Sequence, residues 1–291
     1  MRTKKKQPAR SLASTRPPTL KKQKSISRKA TKSLINSLHL LQKKKAQAVA
    51  KGDLAAQAAI DAEITALGGL EKYQQASLQG QRNDRGGDSS RVLMEWLQPT
   101  SAALQELGKT RRLRMLEVGA LSVSNECSKS GLFDVERIDL SSQGEGILQQ
   151  DFMERPLPKN PTGLFDIISL SLVLNFVPDA AVRGQMLRRT LSFLRDPNDI
   201  EPQELRSSFP SLFMVLPAPC VTNSRYMDED LLKSIMTSLG YTQTHRKLTQ
   251  RLVYYLWTRK RLVLEKGVTF KKAELRSGGS RNNFSIIVRN P

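Results

Sequence analysis

Apolar and polar positions alternate between two periods along this chain. From Ser33 the period is helical: Leu34, Leu38 and Leu41, then Ala48, Leu54, Ala58 and Ile64, recur at three- and four-residue intervals with a break at Gly52-Asp53. This predicts two helices, about 33–51 and 53–67, ended by the Gly68-Gly69 pair. Asp88-Ser89-Ser90 is a capping sequence and predicts a helix running to about Leu107. Short apolar runs of strand length then follow at 113–118, 133–138, 146–149, 165–170 and 212–216, with 252–257 and 284–288 as a sixth and a seventh. Helices are expected between them, one over about 179–194 and one over about 228–239, stopped by Gly240. The segment 196–210 carries acids and prolines and reads as a turn-rich connector. Strands alternating with helices predict an α/β domain, a Rossmann-like sheet covered by helices on both faces.

Charge divides the chain in a way that the periodicity does not. Its formal net charge is +20, but residues 1–52 hold 16 Lys or Arg and no acid, whereas the remainder holds 31 bases against 27 acids. The basicity is an arm and the body is nearly neutral. Residues 1–33 are expected to be a disordered basic tail, because like charges repel and no apolar pattern supports a core. Such an arm gives salt-sensitive affinity for RNA or DNA through counterion release, or serves as a nuclear import signal. Residues 34–87 then form a helical extension with a polar loop bearing Arg82 and Arg85, either a cover for a ligand or a solvated connector. Residues 88–291 are the α/β domain. Two cysteines exclude a disulfide framework, and His39 and His245 stand alone, so no metal site is expected. No apolar run reaches the roughly 18 residues a membrane span needs, and no hydrophobic signal core opens the chain.

The chemistry concentrates where the first strand ends. LRMLEV (113–118) runs into Gly119, and FDVERI (133–138) closes on Asp139. Strand, glycine turn, crossover, strand and acid form the first half of a nucleotide-binding unit. The glycine lets backbone approach a ligand, and the acid accepts hydrogen bonds from the ribose hydroxyls of an adenosine. The turn has one glycine and no lysine, so neither a dinucleotide fingerprint nor a P-loop is present. Glu117-Val-Gly119, then Asp139, then Gln150-Asp151-Phe152 resemble the first three motifs of S-adenosylmethionine-dependent methyltransferases. Their first motif, Glu/Asp-x-Gly-x-Gly, is degenerate here, with Leu121 and Val123 where further glycines stand elsewhere.

Longer stretches narrow the resemblance. GGLEKYQQASLQGQ with RGGDSSRVLMEWL, LEVGALSVSNECS with RIDLSSQ, ILQQDFMERPLP and FDIISLSLVLNFVPD together resemble the fungal 25S ribosomal RNA adenine-N1 methyltransferases, from about residue 68 to 217. The resemblance implies a class I methyltransferase fold, S-adenosylmethionine as cofactor, large-subunit rRNA within the pre-ribosome as partner, and a nuclear, nucleolar location. It places cofactor binding on Gly119 and Asp139, with Glu117 in the same first motif. Asp151 is expected near the adenine amino group, and Phe152 either against the adenine ring or in the core. Asn175 and Phe176, past the fourth strand, are the residues most able to meet a target base, with Asn175 as the candidate catalytic residue. The basic stretch 259–281 either touches RNA backbone or is a solvated hairpin. Two other readings remain: a non-catalytic S-adenosylmethionine sensor, as animal proteins resembling this family suggest, and a protein methyltransferase.

Overall fold

The computed structural model describes residues 28–69, 87–142, 144–260 and 267–289. The expectations placed on 1–27 and on Arg82 and Arg85 lie outside these residues. Helix α1 (Arg28–Lys51) starts five residues earlier than the periodicity suggested, inside the expected tail, and packs against α2 (Leu54–Ala66). Asp53 makes the turn between them: its carboxylate accepts from the Ala56 amide at 2.9 Å and caps α2. Lys45 and Asp61 bridge the pair at 2.6 Å.

The expected helix over 88–107 is two helices, α3 (Ser90–Leu97) and α4 (Ser101–Gly108), joined by a 3-10 turn at Gln98–Thr100. Pro99 is the cause, since it lacks the N–H and its ring clashes with the preceding helical turn. The strands are β1 (Leu113–Val118), β2 (Phe133–Asp139), β3 (Leu148–Gln149), β4 (Ile167–Ser171), β5 (Ser211–Pro217), β6 (Tyr241–Leu248) and β7 (Leu252–Arg259), with the short helix α5 (Glu126–Lys129) between β1 and β2. They form one sheet in the order β3-β2-β1-β4-β5-β7-β6. The first five are parallel, while β7 runs antiparallel to β5 and β6 antiparallel to β7. This is the class I methyltransferase architecture that the resemblance implied.

Two departures bear on the site. The sixth strand in chain order is 241–248, a polar edge strand whose side chains are mostly half-exposed, so no apolar run announced it. The apolar stretch 284–288 is not in the main sheet. Most of it lies on the helix Ala180–Phe193 (α6), where the Ile287 amide donates to the Ala180 carbonyl at 2.9 Å. Only Val288–Arg289 (β9) pairs, with Thr269–Phe270 (β8), as a small ribbon.

The buried strands feed two cores in strict alternation. Leu212, Met214 and Leu216 of β5 join the layer under α6, whereas Phe213 and Val215 face α3 and α4. In β7, Val253, Tyr255 and Trp257 take the first side and Tyr254 and Leu256 the second. A period of two with both faces apolar is what a sheet between helical layers demands. At the lower edge of β4, Asp166 is fully buried and its carboxylate accepts from the Arg114 amide (2.8 Å) and from Arg195 Nε (2.9 Å). That pair fixes the register in which β4 enters the sheet beside β1.

Candidate active site

In this sheet the order reverses direction between β1 and β4, and open α/β sheets bind ligands at that point, beyond the carboxyl ends of the strands. The turn after β1 and the loop after β4 meet there. Gly119 holds φ at +74°, and a Cβ on it would sit 2.8 Å from Val173 Cγ2. Glycine is therefore required by the protein's own packing, whatever ligand approaches it. The amides of Gly119 and Ala120 both donate to the Ile138 carbonyl, at 2.8 and 3.1 Å, which locks the turn to the end of β2.

Asp139 stands at that same end, half-buried. Its backbone carbonyl accepts from Gln150 (2.9 Å) and its carboxylate from the Ser141 amide (2.8 Å). The turn after β1 and the acid after β2 are thus fixed to one another through neighbouring backbone. Gly119 and Asp139, the pair expected to hold an adenosine, are thereby brought to one end of the sheet, a positive-φ turn beside a fixed carboxylate on the adjacent strand.

Glu117 lies beneath the turn. The Asn125 side-chain amide donates to both of its oxygens, at 2.8 and 3.0 Å, and Arg137 Nε is 4.0 Å away. Burial pushes its pKa up to about 7, with the charge of Asp88 adding to the rise, against the opposing pull of Asn125 and Arg137. Asn125 also accepts from the Ser128 amide (2.9 Å), and Arg137 donates to Ser128 Oγ (2.6 Å). Asp88 accepts from the Glu126 amide at 2.6 Å, so the residues before α3 are tied to the same turn. Ser89 and Ser171 join their hydroxyls at 2.8 Å, bringing that segment to the end of β4.

The remaining expected residues divide. Asp151 is exposed, and its carboxylate caps the Met153 amide at 2.7 Å. Phe152 is 2% exposed and packs on Phe193, ring centroids 5.4 Å apart. Of its two expected places the ring takes the core. Asn175 is half-buried in the loop after β4, and its side-chain oxygen is buried without a hydrogen-bond partner. Three residues before it, Leu172 takes φ +59°, and among the described residues it is the only non-glycine with positive φ. Strain of this kind persists where surrounding structure enforces it and clusters at ligand sites. The part of the loop that follows Leu172 is held by a residue the sequence did not single out. Arg183 is 8% exposed, and its guanidinium donates to the carbonyls of Leu174 (3.1 Å), Val177 (2.8 Å) and Ser285 (2.7 Å). It brackets Asn175 and pins it to the C-terminal segment. Burial lowers the Arg183 pKa.

The family model described as 25S rRNA (adenine(2142)-N(1))-methyltransferase, Bmt2, matches residues 58–286. The chain belongs to that family. It is 39% identical over 254 residues to a 25S rRNA adenine-N(1) methyltransferase of Schizosaccharomyces pombe, covering 87% of this chain and 89% of the relative. It is also 39% identical over 227 residues to the 25S rRNA (adenine(2142)-N(1))-methyltransferase of Saccharomyces cerevisiae, covering 78% of this chain and 62% of that one. Among solved structures, the 1,6-didemethyltoxoflavin-N1-methyltransferase of Burkholderia thailandensis with bound S-adenosylhomocysteine is similar over 65% of this chain and 87% of its own, at 13% identity and a TM-score of 0.39. The O-methyltransferase NcsB1 from neocarzinostatin biosynthesis, also with S-adenosylhomocysteine, is similar over 78% of this chain and 70% of its own, at 12% identity and a TM-score of 0.39. Among the described residues, no cluster of His, Cys, Asp and Glu is placed to hold a metal, and no helix is long and apolar enough to cross a membrane.

Proposed function

We propose that this protein uses S-adenosylmethionine to methylate N1 of an adenosine in large-subunit rRNA, as a nuclear, nucleolar step of ribosome biogenesis. The observation that carries the reading is the junction of Gly119 with Val173 at the sheet's switch point, with Asp139 fixed beside it, in a chain of the adenine-N1 methyltransferase family. When bound, the cofactor supplies a methyl group on a sulfonium. The Gly119 turn receives it by backbone, and Asp139 orients its ribose.

Adenine N1 carries its own in-plane lone pair, so the protein has no proton to remove before transfer. Its task is alignment. Asn175 supplies it: the side-chain oxygen, without a donor inside the protein, accepts from the exocyclic amino group of the target adenine once the amide turns toward the cleft. An unpaired buried acceptor costs about 1–3 kcal/mol and is retained where a ligand provides the partner. The same oxygen faces the base as positive charge develops on it, which lowers the barrier. Arg183, gripping the carbonyls on both sides of Asn175, fixes the backbone from which that side chain turns. Because pairing would hide N1, the adenosine must be single-stranded or flipped out of a duplex.

The test is a map of methylated adenosines in large-subunit rRNA from cells with and without the protein. A methyl on N1 blocks the pairing edge and stops reverse transcriptase, and nucleoside mass spectrometry identifies it. The stop should vanish with Asp139→Ala and with Gly119→Arg. N6-methyladenosine at a readable position would refute the atom assignment, and cofactor binding with no transfer would make the protein a sensor.

A further inference from the structure

After β5 the chain passes through the short helix Pro219–Thr222 (α7) into the loop 223–227, and the C-terminal segment 267–289 is laced onto that loop. The Arg225 amide donates to the Asn282 carbonyl (3.0 Å), the Asn282 amide to Asn223 (3.0 Å) and the Leu275 amide to Arg225 (2.7 Å). Ser224 Oγ donates to the Phe284 carbonyl at 2.6 Å. Beyond Phe284 the segment continues to α6, where Arg183 holds Ser285 and where Gly184 allows the close pass: a Cβ there would lie 1.8 Å from the Ile287 carbonyl oxygen. The segment is thus a strap joining the loops after β5 and β4, on the end of the sheet that carries Gly119 and Asn175.

The strap is basic, and its charge is not cancelled. Residues 267–289 hold five Lys or Arg and one acid, Glu274. Several cations elsewhere in the domain meet carboxylates: Arg114 and Arg155 share Glu136, Arg246 pairs with Glu229, and Lys247 with Glu95. Arg225, Lys271, Lys272, Arg276 and Arg281 have no carboxylate within ion-pair distance among the described residues. The arginines are held by neutral acceptors instead. Arg225 donates to the Gly278 carbonyl (3.0 and 3.1 Å), Arg276 to Met227 (2.7 Å) and Arg281 to Ser277 (2.8 Å). Lys271 and Lys272 are exposed, and the Lys272 ammonium lies 4.2 Å from the centre of the Tyr226 ring. A carbonyl or an aromatic face fixes where a cation sits and leaves its charge to be met from outside.

We propose that this strap, with the loop it covers, is the surface on which the catalytic domain docks the phosphate backbone of its RNA. The inference rests on the reading of the substrate as RNA and adds where the RNA lies: across the ends of β4 and β5, outside the cofactor turn. It assigns the docking to a folded element, separate from the N-terminal arm. Phosphates are the partner that fits, being anionic, regularly spaced and recognised by both ammonium and guanidinium groups.

The experiment compares the full chain with its K271E/K272E variant, binding labelled polyadenylate RNA by fluorescence anisotropy over a salt series. Each phosphate contact on single-stranded RNA contributes about 0.7 to the slope of log affinity against log salt. Two lost contacts should flatten the slope by roughly 1.4 and weaken binding by about tenfold at moderate salt. K271Q/K272Q should fall between, and S-adenosylhomocysteine affinity and the melting temperature should not move. An unchanged slope would overturn the proposal, as would loss of RNA binding accompanied by equal loss of S-adenosylhomocysteine binding. So would ultraviolet crosslinks to RNA that avoid 267–281. Failure of the underlying reading looks different: the wild-type chain would bind RNA and leave adenosine N1 unmethylated.

Discussion

Replacing Gly119 by alanine adds one methyl group and tests two separate constraints. The first is conformational: at φ +74° an L-residue with a Cβ is strained by about 1–2 kcal/mol. The second is steric, because the new carbon would stand 2.8 Å from Val173 Cγ2, a separation real Cβ contacts essentially never show. Forcing such a carbon into packed surroundings costs about 1–3 kcal/mol. Together Gly119→Ala should destabilise the fold by about 2–5 kcal/mol, or lower the melting temperature by several degrees. The two parts are separable by pairing it with Val173→Ala, which removes the colliding methyl and leaves the backbone strain. The double variant should recover the steric part, giving a coupling of about 1–3 kcal/mol where independent sites differ from additivity by about 0.3–0.5. Urea unfolding of the four chains gives the cycle, and calorimetry with S-adenosylhomocysteine shows whether binding returns with stability. A Gly119→Ala protein with wild-type stability and affinity would refute the reasoning. Additivity within error would refute the steric half alone.

Three further outcomes follow from other parts of the molecule. Glu117, with its pKa raised from the usual 4.5 to about 7, favours the protonated fold: its contribution is fully present below pH 4.5 and is lost as pH rises through about 7. Glu117→Gln should therefore flatten the decline in unfolding free energy across that window, and a parallel pH profile in both proteins would contradict the placement. Asp166→Ala strands the Arg195 guanidinium and an Arg114 amide, and should cost about 3–5 kcal/mol in urea unfolding. Removal of residues 1–27, which carry nine Lys or Arg and no acid, should flatten the salt dependence of RNA binding while leaving cofactor affinity intact. An unchanged slope would reduce the arm to an import signal.

What the sequence disclosed about the site follows from whether a residue's role is local. The places of Gly119 and Asp139 were legible because each is set by its own strand end: the turn after β1 takes a positive φ, and the acid closes β2. The network beneath the turn was not, because Asn125 and Arg137 reach Glu117 only when the crossover from β1 to β2 has folded back. Arg183 reads as a solvent-facing residue of a helix. It is buried because a strap 102 residues further on lies over it, and no periodicity carries that information. The strands show the same division. β5 and β7 are apolar on both faces and were evident, whereas the edge strand β6, TQTHRK between Tyr241 and Leu248, has polar side chains on a half-exposed surface. Conversely, the apolar run at 284–288 reports burial more than pairing, for most of it packs on α6 and Val288 alone of the run pairs, with Phe270.

The turn after β1 closes on a single glycine. Leu121 and Val123 occupy places where glycine lets the turn tighten elsewhere, yet among the described residues neither takes a positive φ. The turn is held from outside, by the Ile138 carbonyl that accepts from both Gly119 and Ala120. The bulk of Val123 is met across the cleft by Gly146, whose φ is +81° and whose missing Cβ would lie 3.2 Å from Val123 Cγ1. The space that a second glycine would open within the turn is opened instead in the loop that follows β2. Gly146 becomes part of the motif by contact, although it stands outside it in sequence. Gly146→Ala would need Val123 to give way by a few tenths of an ångström against the turn. Because Val123 is 46% exposed, it has room to do so, and it flanks the turn after β1, not the core. The requirement for glycine in this fold thus belongs to pairs of facing loops, and a chain satisfies it from either side.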